Sequence, residues 1–214
     1  MSATDTPSSL ASSVLIVVDV QYDFLPGGAL AVADGDQIIP AINRLAALFP
    51  HTIATQDWHP SGHISFASAH AGHQPFDVIE LPYGPQVLWP EHCVQESHGA
   101  ALSSQLQLPR AELVIRKGYH AQIDSYSAFI EADRRTPTGL AGYLRERGLT
   151  DCYVCGLATD FCVAWTALDA RQAGFEVCVI EDACKGIDMN GSVAKAWADM
   201  AAAGVRRIDS SELC

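Results

Sequence analysis

The sequence lacks any long uninterrupted apolar run. No stretch of its 214 residues approaches the roughly 18 consecutive apolar residues that a membrane-spanning helix needs. The first twelve residues are small and polar, and they lack the basic start and apolar middle of a secretory signal peptide. We therefore expect a cytoplasmic protein with no membrane partner, in which residues 1–12 form a flexible N-terminal tail.

Positively charged residues are also scarce. The chain has 13 Lys and Arg against 25 Asp and Glu, which gives a formal net charge of −12 at pH 7. Such a chain is repelled by phosphate backbones and anionic membrane surfaces, so the composition argues against a nucleic-acid partner. It suits a protein that acts on a small neutral molecule. Association into a homo-oligomer is an option that the sequence leaves open.

The cysteines do not indicate a disulfide framework. There are seven of them, an odd number at irregular spacings, and a chain of 214 residues can bury a core without covalent crosslinks. Cys152 and Cys155 form a C-x-x-C, but they lie in an apolar run typical of a strand, where residues three apart point to opposite faces. We predict reduced thiols, with these two packed in the core rather than in a redox or zinc site.

Short runs rich in Val and Ile alternate with stretches of helical spacing. The clearest run is 14–18, whose near-continuous apolar character predicts a strand covered on both faces. Further strands are predicted at 51–55, 112–116, 151–155, 176–180 and 204–208, and helices at 36–48, 138–147, 160–173 and 192–203. This alternation predicts a three-layer α/β fold, with a mostly parallel central sheet of about six strands and helices on both faces. We expect one domain spanning residues 13–214.

The segment 56–97 interrupts this alternation. It is rich in His, Pro, Gly and Trp, and a loop of about forty residues in a compact domain is usually functional. Ligands of open parallel sheets bind beyond the carboxyl ends of the strands. Asp19, Asp57, Lys117 and the turn before Cys162 each follow a predicted strand. We therefore expect them to converge at one edge of the sheet.

Three of these residues could carry covalent chemistry, although each has an alternative role. Desolvation at a strand end would raise the pKa of Asp19 toward the range useful for proton transfer, but Asp19 could equally be a turn residue. Lys117 would stabilise a thiolate or an oxyanion, or it would be a solvated surface charge. Cys162 lies in a strand-to-helix turn whose N–H groups favour anionic sulfur, whereas most free cysteines are packing residues.

A cluster of histidines follows Asp57. Asp57 and His59 form a D-x-H pair, and His63, His73 and His92 come later in the same segment. One carboxylate and two imidazoles with open positions suit Zn²⁺, Mn²⁺ or Fe²⁺. The residues alone leave the choice of the third ligand open, and scattered surface histidines are the alternative.

Five short segments that contain these residues form an ordered set. They are residues 17–24 (VVDVQYDF), 54–60 (ATQDWHP), 89–94 (WPEHCV), 116–118 (RKG) and 156–163 (GLATDFCV). Each segment is modestly specific, but all five in this order are highly specific. With them, the chain resembles the nicotinamidase/pyrazinamidase branch of the isochorismatase-like cysteine hydrolases over nearly its whole length. The resemblance outweighs the alternative roles given above.

The resemblance implies a catalytic arrangement. It implies a triad of Asp19, Lys117 and Cys162, in which the cysteine attacks the substrate. In the family a cis peptide precedes the alanine of the GLAT turn, which here is the bond between Leu157 and Ala158. We expect the N–H groups of Ala158 and Cys162 to form the oxyanion hole.

The resemblance also implies a metal site. The expected ligands are Asp57, His59 and His92, with bound water completing the coordination of one divalent ion. Zn²⁺ is the expected ion, with Mn²⁺ or Fe²⁺ as alternatives. His92 is preferred to His73 because it lies inside the WPEHCV segment. His63 falls where some relatives place a further metal-associated side chain.

The reaction that the resemblance implies is hydrolysis of nicotinamide to nicotinate and ammonia through a Cys162 thioester, with pyrazinamide as a further substrate, in the salvage of NAD breakdown products. Phe24, Trp89 and Tyr126 are expected to wall a slot for the flat ring, with core packing as the alternative. Relatives vary in length over 119–136, so other residues there are not assigned.

Other interpretations of the same residues can be stated. One is a metal-free isochorismatase-like hydrolase of another small amide or enol ether, but such relatives lack the D-x-H and WPxHC elements present here. A second is a zinc hydrolase that uses metal-bound hydroxide directly, with Cys162 merely structural. A third is a non-catalytic binding protein, which would be expected only if Asp19, Lys117 or Cys162 were replaced.

Overall fold

A computed structural model describes residues 10–213 of the chain. Within this range there are eight strands: β1 (Ser13–Val18), β2 (His51–Asp57), β3 (Val78–Leu81), β4 (Gly84–Val87), β5 (Ala111–Lys117), β6 (Asp151–Leu157), β7 (Glu176–Lys185) and β8 (Arg206–Ile208). Four α-helices accompany them: α1 (Ile39–Leu48), α2 (Leu140–Glu146), α3 (Ala164–Gln172) and α4 (Ser192–Ala202). The alternation of strands and helices predicted from the sequence is confirmed.

Six of the strands form one parallel sheet in the order β5-β2-β1-β6-β7-β8. Val14 of β1 pairs with His51 of β2 on one side and with Cys152 of β6 on the other, and all five strand pairs of this sheet run parallel. Parallel neighbours need crossover connections, which the helices and long loops of this chain supply. The predicted α/β class with about six mostly parallel strands is therefore confirmed.

The centre of the sheet is covered on both faces. All six residues of β1 are buried, as the near-continuous apolar run predicted. Helix α1 contacts β1 and β7, and α3 contacts β6 and β7. Burial of both faces at β1 and β6 fixes the strand ends from which the site side chains project.

Several element boundaries differ from the predicted ones. Strand β7 runs to Lys185, five residues beyond the predicted end, because Glu181 and Asp182 interrupt its apolar pattern without ending its pairing. Lys117 is the last residue of β5 rather than a residue beyond it. A π-helical turn, Thr159–Val163, occupies the first part of the helix predicted at 160–173, so α3 begins at Ala164.

The long segment 56–97 contains a hairpin that the sequence did not predict. Strands β3 and β4 pair in antiparallel fashion, with Val78 opposite Val87 and Leu81 opposite Gly84. Most of β3 is exposed or half-buried, so its side chains carry little of the buried periodicity that indicates a strand. The remainder of the segment is held as turns against the site.

Residues 10–12, the last part of the predicted tail, are in contact with the rest of the protein. Leu10 is buried in the core, and the Ser12 carbonyl accepts a hydrogen bond of 2.9 Å from the Thr150 N–H. Residues 10–12 therefore pack against the start of β6, which corrects the predicted tail boundary at residue 12. The prediction of a flexible tail for residues 1–9 lies outside the described residues.

The cysteines of the described range are free and buried, six in number. Cys152 and Cys155 are both buried in β6, as predicted for core thiols. Among residues 10–213, no helix has the length and apolar character required to cross a membrane.

Candidate active site

The predicted convergence of side chains at one sheet edge is confirmed. Asp19 follows β1, Asp57 ends β2, Lys117 ends β5, and Cys162 lies in the turn after β6. These four strands are consecutive in the sheet, in the order β5-β2-β1-β6. Oxygen atoms of Asp19 and Asp57 and the Cys162 sulfur all lie within 4.8 Å of one another. Residues up to 143 positions apart in the chain thus meet in one buried cluster.

The carboxylate of Asp19 is oriented by its own backbone and by Thr55. Asp19 is fully buried and has a φ of 48°, a left-handed conformation that turns its side chain out of the strand direction. Its N–H donates to Thr55 Oγ1 at 3.2 Å, and that hydroxyl donates to Asp19 Oδ1 at 2.5 Å. The other oxygen, Oδ2, is 2.7 Å from Lys117 Nζ, and no described group donates an aligned hydrogen bond to it. Oδ2 therefore keeps a lone pair for an incoming proton.

Lys117 is a fully buried ammonium whose tip makes several polar contacts. Besides Asp19, its Nζ contacts Asp57 Oδ1, the Ser125 carbonyl oxygen at 3.3 Å and Cys162 Sγ at 3.3 Å. Burial alone would lower the pKa of Lys117, but the surrounding Asp19, Asp57 and Cys162 raise it well above its ordinary value. Lys117 thus remains charged and neutralises part of the acidic cluster.

The pKa of Asp19 and that of Cys162 are shifted in the same direction. Burial raises the pKa of Asp19 above its ordinary value, although Lys117 opposes the shift. Burial also raises the pKa of the Cys162 thiol well above its ordinary value, again against the pull of Lys117. Cys162 therefore rests as a thiol near neutral pH, and its deprotonation requires a base at hand, which Asp19 can provide.

The turn that carries Cys162 is tightly folded. The carbonyl of Ala158 accepts hydrogen bonds of 3.1 Å from the N–H groups of Phe161 and Val163, which close the π-helical turn around the cysteine. The peptide bond between Leu157 and Ala158 is cis, as expected. Ala158 and Cys162 both line the same cavity.

Asp57, His59 and His92 form a compact donor set that fits a divalent metal ion. The Nε2 atoms of His59 and His92 lie 3.6 and 3.8 Å from Asp57 Oδ2. The opposite ring nitrogens point at backbone carbonyl oxygens, Nδ1 of His59 at Gly118 (2.9 Å) and Nδ1 of His92 at Pro90 (2.8 Å). Each Nδ1 therefore carries the proton, which leaves both Nε2 lone pairs free, as is usual for histidines that bind metals.

The two other histidines considered as ligands lie outside the set of Asp57, His59 and His92, although His63 forms a second possible donor set with His59 and Asp124. His63 packs on the His59 ring, but its Nδ1 contacts Ser65 Oγ at 2.7 Å and its Nε2 contacts two backbone carbonyls at 3.1 and 3.2 Å. Both of its ring nitrogens are engaged, and burial lowers its pKa to about 4. His73 is exposed and pairs with Asp77 at 3.3 Å. The structure thus brings His92 to the donor set, places His63 beside it, and leaves His73 outside it.

A cavity lined largely by aromatic side chains lies over Cys162 and this donor set. Phe24, Trp89 and Tyr126, the three predicted slot residues, all line it. The indole N–H of Trp89 donates to the Tyr126 hydroxyl at 3.0 Å, which fixes both rings. Phe161 stands perpendicular to Trp89, with ring centroids 4.8 Å apart. The cavity is narrow, largely apolar and suited to a small flat ligand.

Several cavity residues were not identified from the sequence. They are Leu30, Asp124, Phe161 and Ile187. Asp124 is buried, and its carboxylate accepts hydrogen bonds from Gln86 Nε2 at 2.7 Å and from the Ser125 N–H at 2.8 Å. It lies in the segment 119–136 that the resemblance left unassigned. Phe161 could have been identified as a cavity residue from its place next to Cys162. Nothing in the local sequence around Leu30 or Ile187 indicates that they line the cavity.

A parallel α/β sheet with a carboxylate, an ammonium and a thiol in contact at one edge is the arrangement of a hydrolase that uses a cysteine nucleophile. Comparison with known families agrees, since the isochorismatase domain model matches residues 13–212. The chain belongs to the isochorismatase family.

Similar proteins carry a more specific name. The chain is 64% identical over 199 residues to a nicotinamidase of Acinetobacter baylyi, covering 93% of each chain, and 45% identical to a nicotinamidase of Escherichia coli, covering 89% of this chain and 91% of that one. A solved nicotinamidase/pyrazinamidase of Acinetobacter baumanii superposes with a TM-score of 0.95 at 62% identity, covering 95% of this chain and 99% of that one. A solved pyrazinamidase of Pyrococcus horikoshii in complex with zinc superposes with a TM-score of 0.77 at 38% identity, covering 92% and 99%.

Proposed function

We propose that this protein is a nicotinamidase, a hydrolase of the linear amide C–N bond that converts nicotinamide to nicotinate and ammonia. The observation that carries the proposal is the contact between Asp19, Lys117 and Cys162 beneath an aromatic cavity. The high identity to nicotinamidases over most of the chain supports the same activity.

The cavity supports a flat, neutral substrate. Phe24, Trp89 and Phe161 present ring faces and edges that can enclose an aromatic heterocycle. Asp57 and Asp124 place carboxylates in the cavity wall, which favours an uncharged amide over an anion. Pyrazinamide has the same size and shape as nicotinamide, so we include it among the proposed substrates.

The first half of the reaction forms a thioester. Asp19 takes the proton of the Cys162 thiol as the sulfur forms a bond to the amide carbon. The negative charge passes to the amide oxygen, which the N–H groups of Ala158 and Cys162 would hold, at about 3 kcal/mol for each donor. Asp19 then gives the proton to the amide nitrogen, the C–N bond breaks, and ammonia leaves. Lys117 stays protonated throughout and offsets the negative charge.

The second half of the reaction releases the acid. Asp19, again ionised, takes a proton from water as the water oxygen bonds to the thioester carbon. The S–C bond then breaks, and the departing sulfur recovers the proton from Asp19. The products are nicotinic acid, which ionises to nicotinate, and an enzyme in its starting state. The raised pKa of Asp19 suits this repeated transfer, because it brings the carboxylate closer in basicity to its partners.

The metal belongs to the proposal as well. Asp57, His59 and His92 would hold it, with Zn²⁺ as the proposed ion and Mn²⁺ or Fe²⁺ as alternatives. When bound, it would supply an electrophilic site that orients the substrate and organises water. Asp57 is prepared for this role: burial would raise its pKa, but the Lys117 ammonium opposes burial, and the pKa lies well below the ordinary value, so the carboxylate is ionised.

The proposal also covers the roles of individual residues, the location of the enzyme and its domain organisation. The triad, the metal ligands and the slot residues Phe24, Trp89 and Tyr126 are proposed in the roles that the resemblance implied. We also propose a cytoplasmic enzyme of NAD salvage with one catalytic domain after a short tail. Association into a homo-oligomer is compatible with this function and is not required by it, because the proposed triad and donor set come from one chain.

Ammonia release from nicotinamide by the purified protein, together with elemental analysis, tests the proposal. We expect turnover that Cys162→Ala abolishes, and a divalent metal in the wild-type protein. The competing function is a metal-free isochorismatase-like hydrolase of another small amide or enol ether. The paired Nε2 atoms aimed at Asp57 Oδ2 disfavour it. Absence of nicotinamide turnover in metal-loaded protein would contradict the proposal.

A further inference from the structure

Asp160 lies two residues before Cys162, and the reaction described above makes no use of it. Its carboxylate is 8% exposed and receives three hydrogen bonds from one distant segment. The Ile187 N–H donates to Oδ1 at 3.0 Å, while the Asp188 N–H and the Ser192 hydroxyl donate to Oδ2 at 2.9 and 2.5 Å. The Asp160 side chain therefore joins the π-helical turn that carries Cys162 to the loop between β7 and α4.

This loop forms part of the cavity wall. Ile187 lines the cavity together with Phe161 and Cys162. The loop backbone adopts conformations that side-chain-bearing residues rarely take, with φ of 58° at Asp188 and 52° at Asn190. Asp and Asn adopt this region more readily than other side-chain-bearing residues, so the sequence of the loop suits a tight turn here. Of the three bonds to Asp160, two are made by main-chain N–H groups.

We propose that Asp160 is a positioning residue that holds Ile187 against the substrate cavity and so sets the affinity for the flat ring. The inference deepens the proposed nicotinamidase function and rests on it. Ionised carboxylates accept stronger hydrogen bonds than neutral groups, so the three bonds make a firm anchor. Asp160 acts through the loop and does not touch the reacting atoms, so its loss should weaken substrate capture more than the chemical step.

Asp160→Asn is the direct test, because it keeps the size of the side chain. In asparagine, one of the two accepting oxygens is replaced by an NH2 group. That group cannot accept a hydrogen bond from a backbone N–H, so at least one anchor bond is lost. We expect kcat/KM for nicotinamide to fall roughly tenfold while kcat stays within about threefold of wild type. Ile187→Ala should produce a similar loss. Ser192→Ala is the graded comparison: it removes one bond to Asp160 but leaves both main-chain bonds, so it should lower kcat/KM less than Asp160→Asn does.

The double variant decides whether Asp160 acts through Ile187. If it does, Asp160→Asn in the Ile187→Ala background should lower kcat/KM by less than about twofold further. If the fold-loss of kcat/KM in the double variant equals the product of the two single-variant losses, the proposal is overturned. An unchanged kcat/KM in Asp160→Asn alone would also overturn it. Gly186→Ala offers a second route that keeps the Asp160 charge. A β-carbon at Gly186 would overlap the Val193 side chain and approach Asp160 Oδ1 to 3.1 Å, so the displaced loop should give the same loss in kcat/KM.

Amide hydrogen exchange separates this inference from the proposed function. Asp160→Asn should speed exchange at the Ile187 and Asp188 amides on the order of tenfold, whereas Ser192→Ala should not. If exchange is faster in Asp160→Asn but the wild-type protein does not turn over nicotinamide, the proposed function is contradicted and the anchoring role is supported. Turnover with unchanged exchange in Asp160→Asn would overturn the anchoring role alone.

Discussion

Replacing Lys117 with methionine tests whether its buried ammonium stabilises the folded cluster of Asp19, Asp57 and Cys162 and supports turnover. Methionine keeps an unbranched side chain of similar length and removes the charge. Lys117 is fully buried, with Asp19 Oδ2 at 2.7 Å, Cys162 Sγ at 3.3 Å and the Asp57 carboxylate also in contact. The variant therefore leaves two buried carboxylates without the cation that they share.

The size of the effect follows from this geometry. Two unit charges 2.7 Å apart attract by about 6 kcal/mol at an effective dielectric constant of about 20. Desolvation of the charges offsets part of this attraction, and removing one partner of a buried pair costs about 3–5 kcal/mol in practice. A comparable loss in the stabilisation of the attacking sulfur and the oxyanion would lower kcat by about a thousandfold.

The loss of stability in Lys117→Met should depend on pH. Burial already raises the folded-state pKa of Asp19, and without Lys117 only the hydrogen bond from Thr55 still opposes that shift. A carboxyl with a raised folded-state pKa destabilises the fold above that pKa, and the penalty disappears as falling pH protonates it in both states. We therefore expect Lys117→Met to lose about 3–5 kcal/mol near pH 8 and clearly less near pH 5.

Urea unfolding of chelator-treated protein at both pH values, together with ammonia release from metal-loaded protein, measures these effects. Lys195→Met is the matched control, because Lys195 is exposed and pairs with Asp199 one helical turn away. It should leave turnover and stability nearly unchanged. Equal destabilisation of Lys117→Met at the two pH values, or near-normal turnover, would refute the reasoning.

Three further predictions concern the sulfur, the metal and the base. Cys162→Ala should abolish turnover while elemental analysis finds wild-type metal content; normal turnover would favour direct attack by metal-bound hydroxide. His92→Ala should lose bound metal, because its free Nε2 faces Asp57, whereas His73→Ala should retain it; the reverse pattern would contradict the ligand set. Asp19→Asn should abolish turnover, because the amide cannot take the Cys162 proton. It also removes one partner of the buried pair with Lys117, so in chelator-treated protein near pH 7 it should lower resistance to urea, although less than Lys117→Met does, since Asp57 still contacts Lys117. Near-normal turnover would contradict the role of Asp19 as the base.

Much of the fold was predictable because it rests on local pattern. The run at residues 14–18 indicated a strand buried on both faces, and all of β1 is buried. Parallel strands place their carboxyl ends at one edge, so residues that follow strands had to meet there. The hairpin β3–β4 was missed because its strands are short and largely exposed, and because they lie in a segment rich in Gly and Pro.

The sequence by itself determined which chemical groups reach the site, because Asp19, Asp57, Lys117 and Cys162 are fixed to strand ends whose order follows from the α/β pattern. Only the tertiary structure decided how those groups are tuned and what surrounds them. Desolvation and charge contacts depend on atoms far apart in the chain, which is why the pKa of Asp19 and that of Asp57 move in opposite directions beside the same ammonium. The same holds for long loops, whose course no local periodicity encodes, so the arrival of Ile187 at the cavity became visible only once the chain was folded.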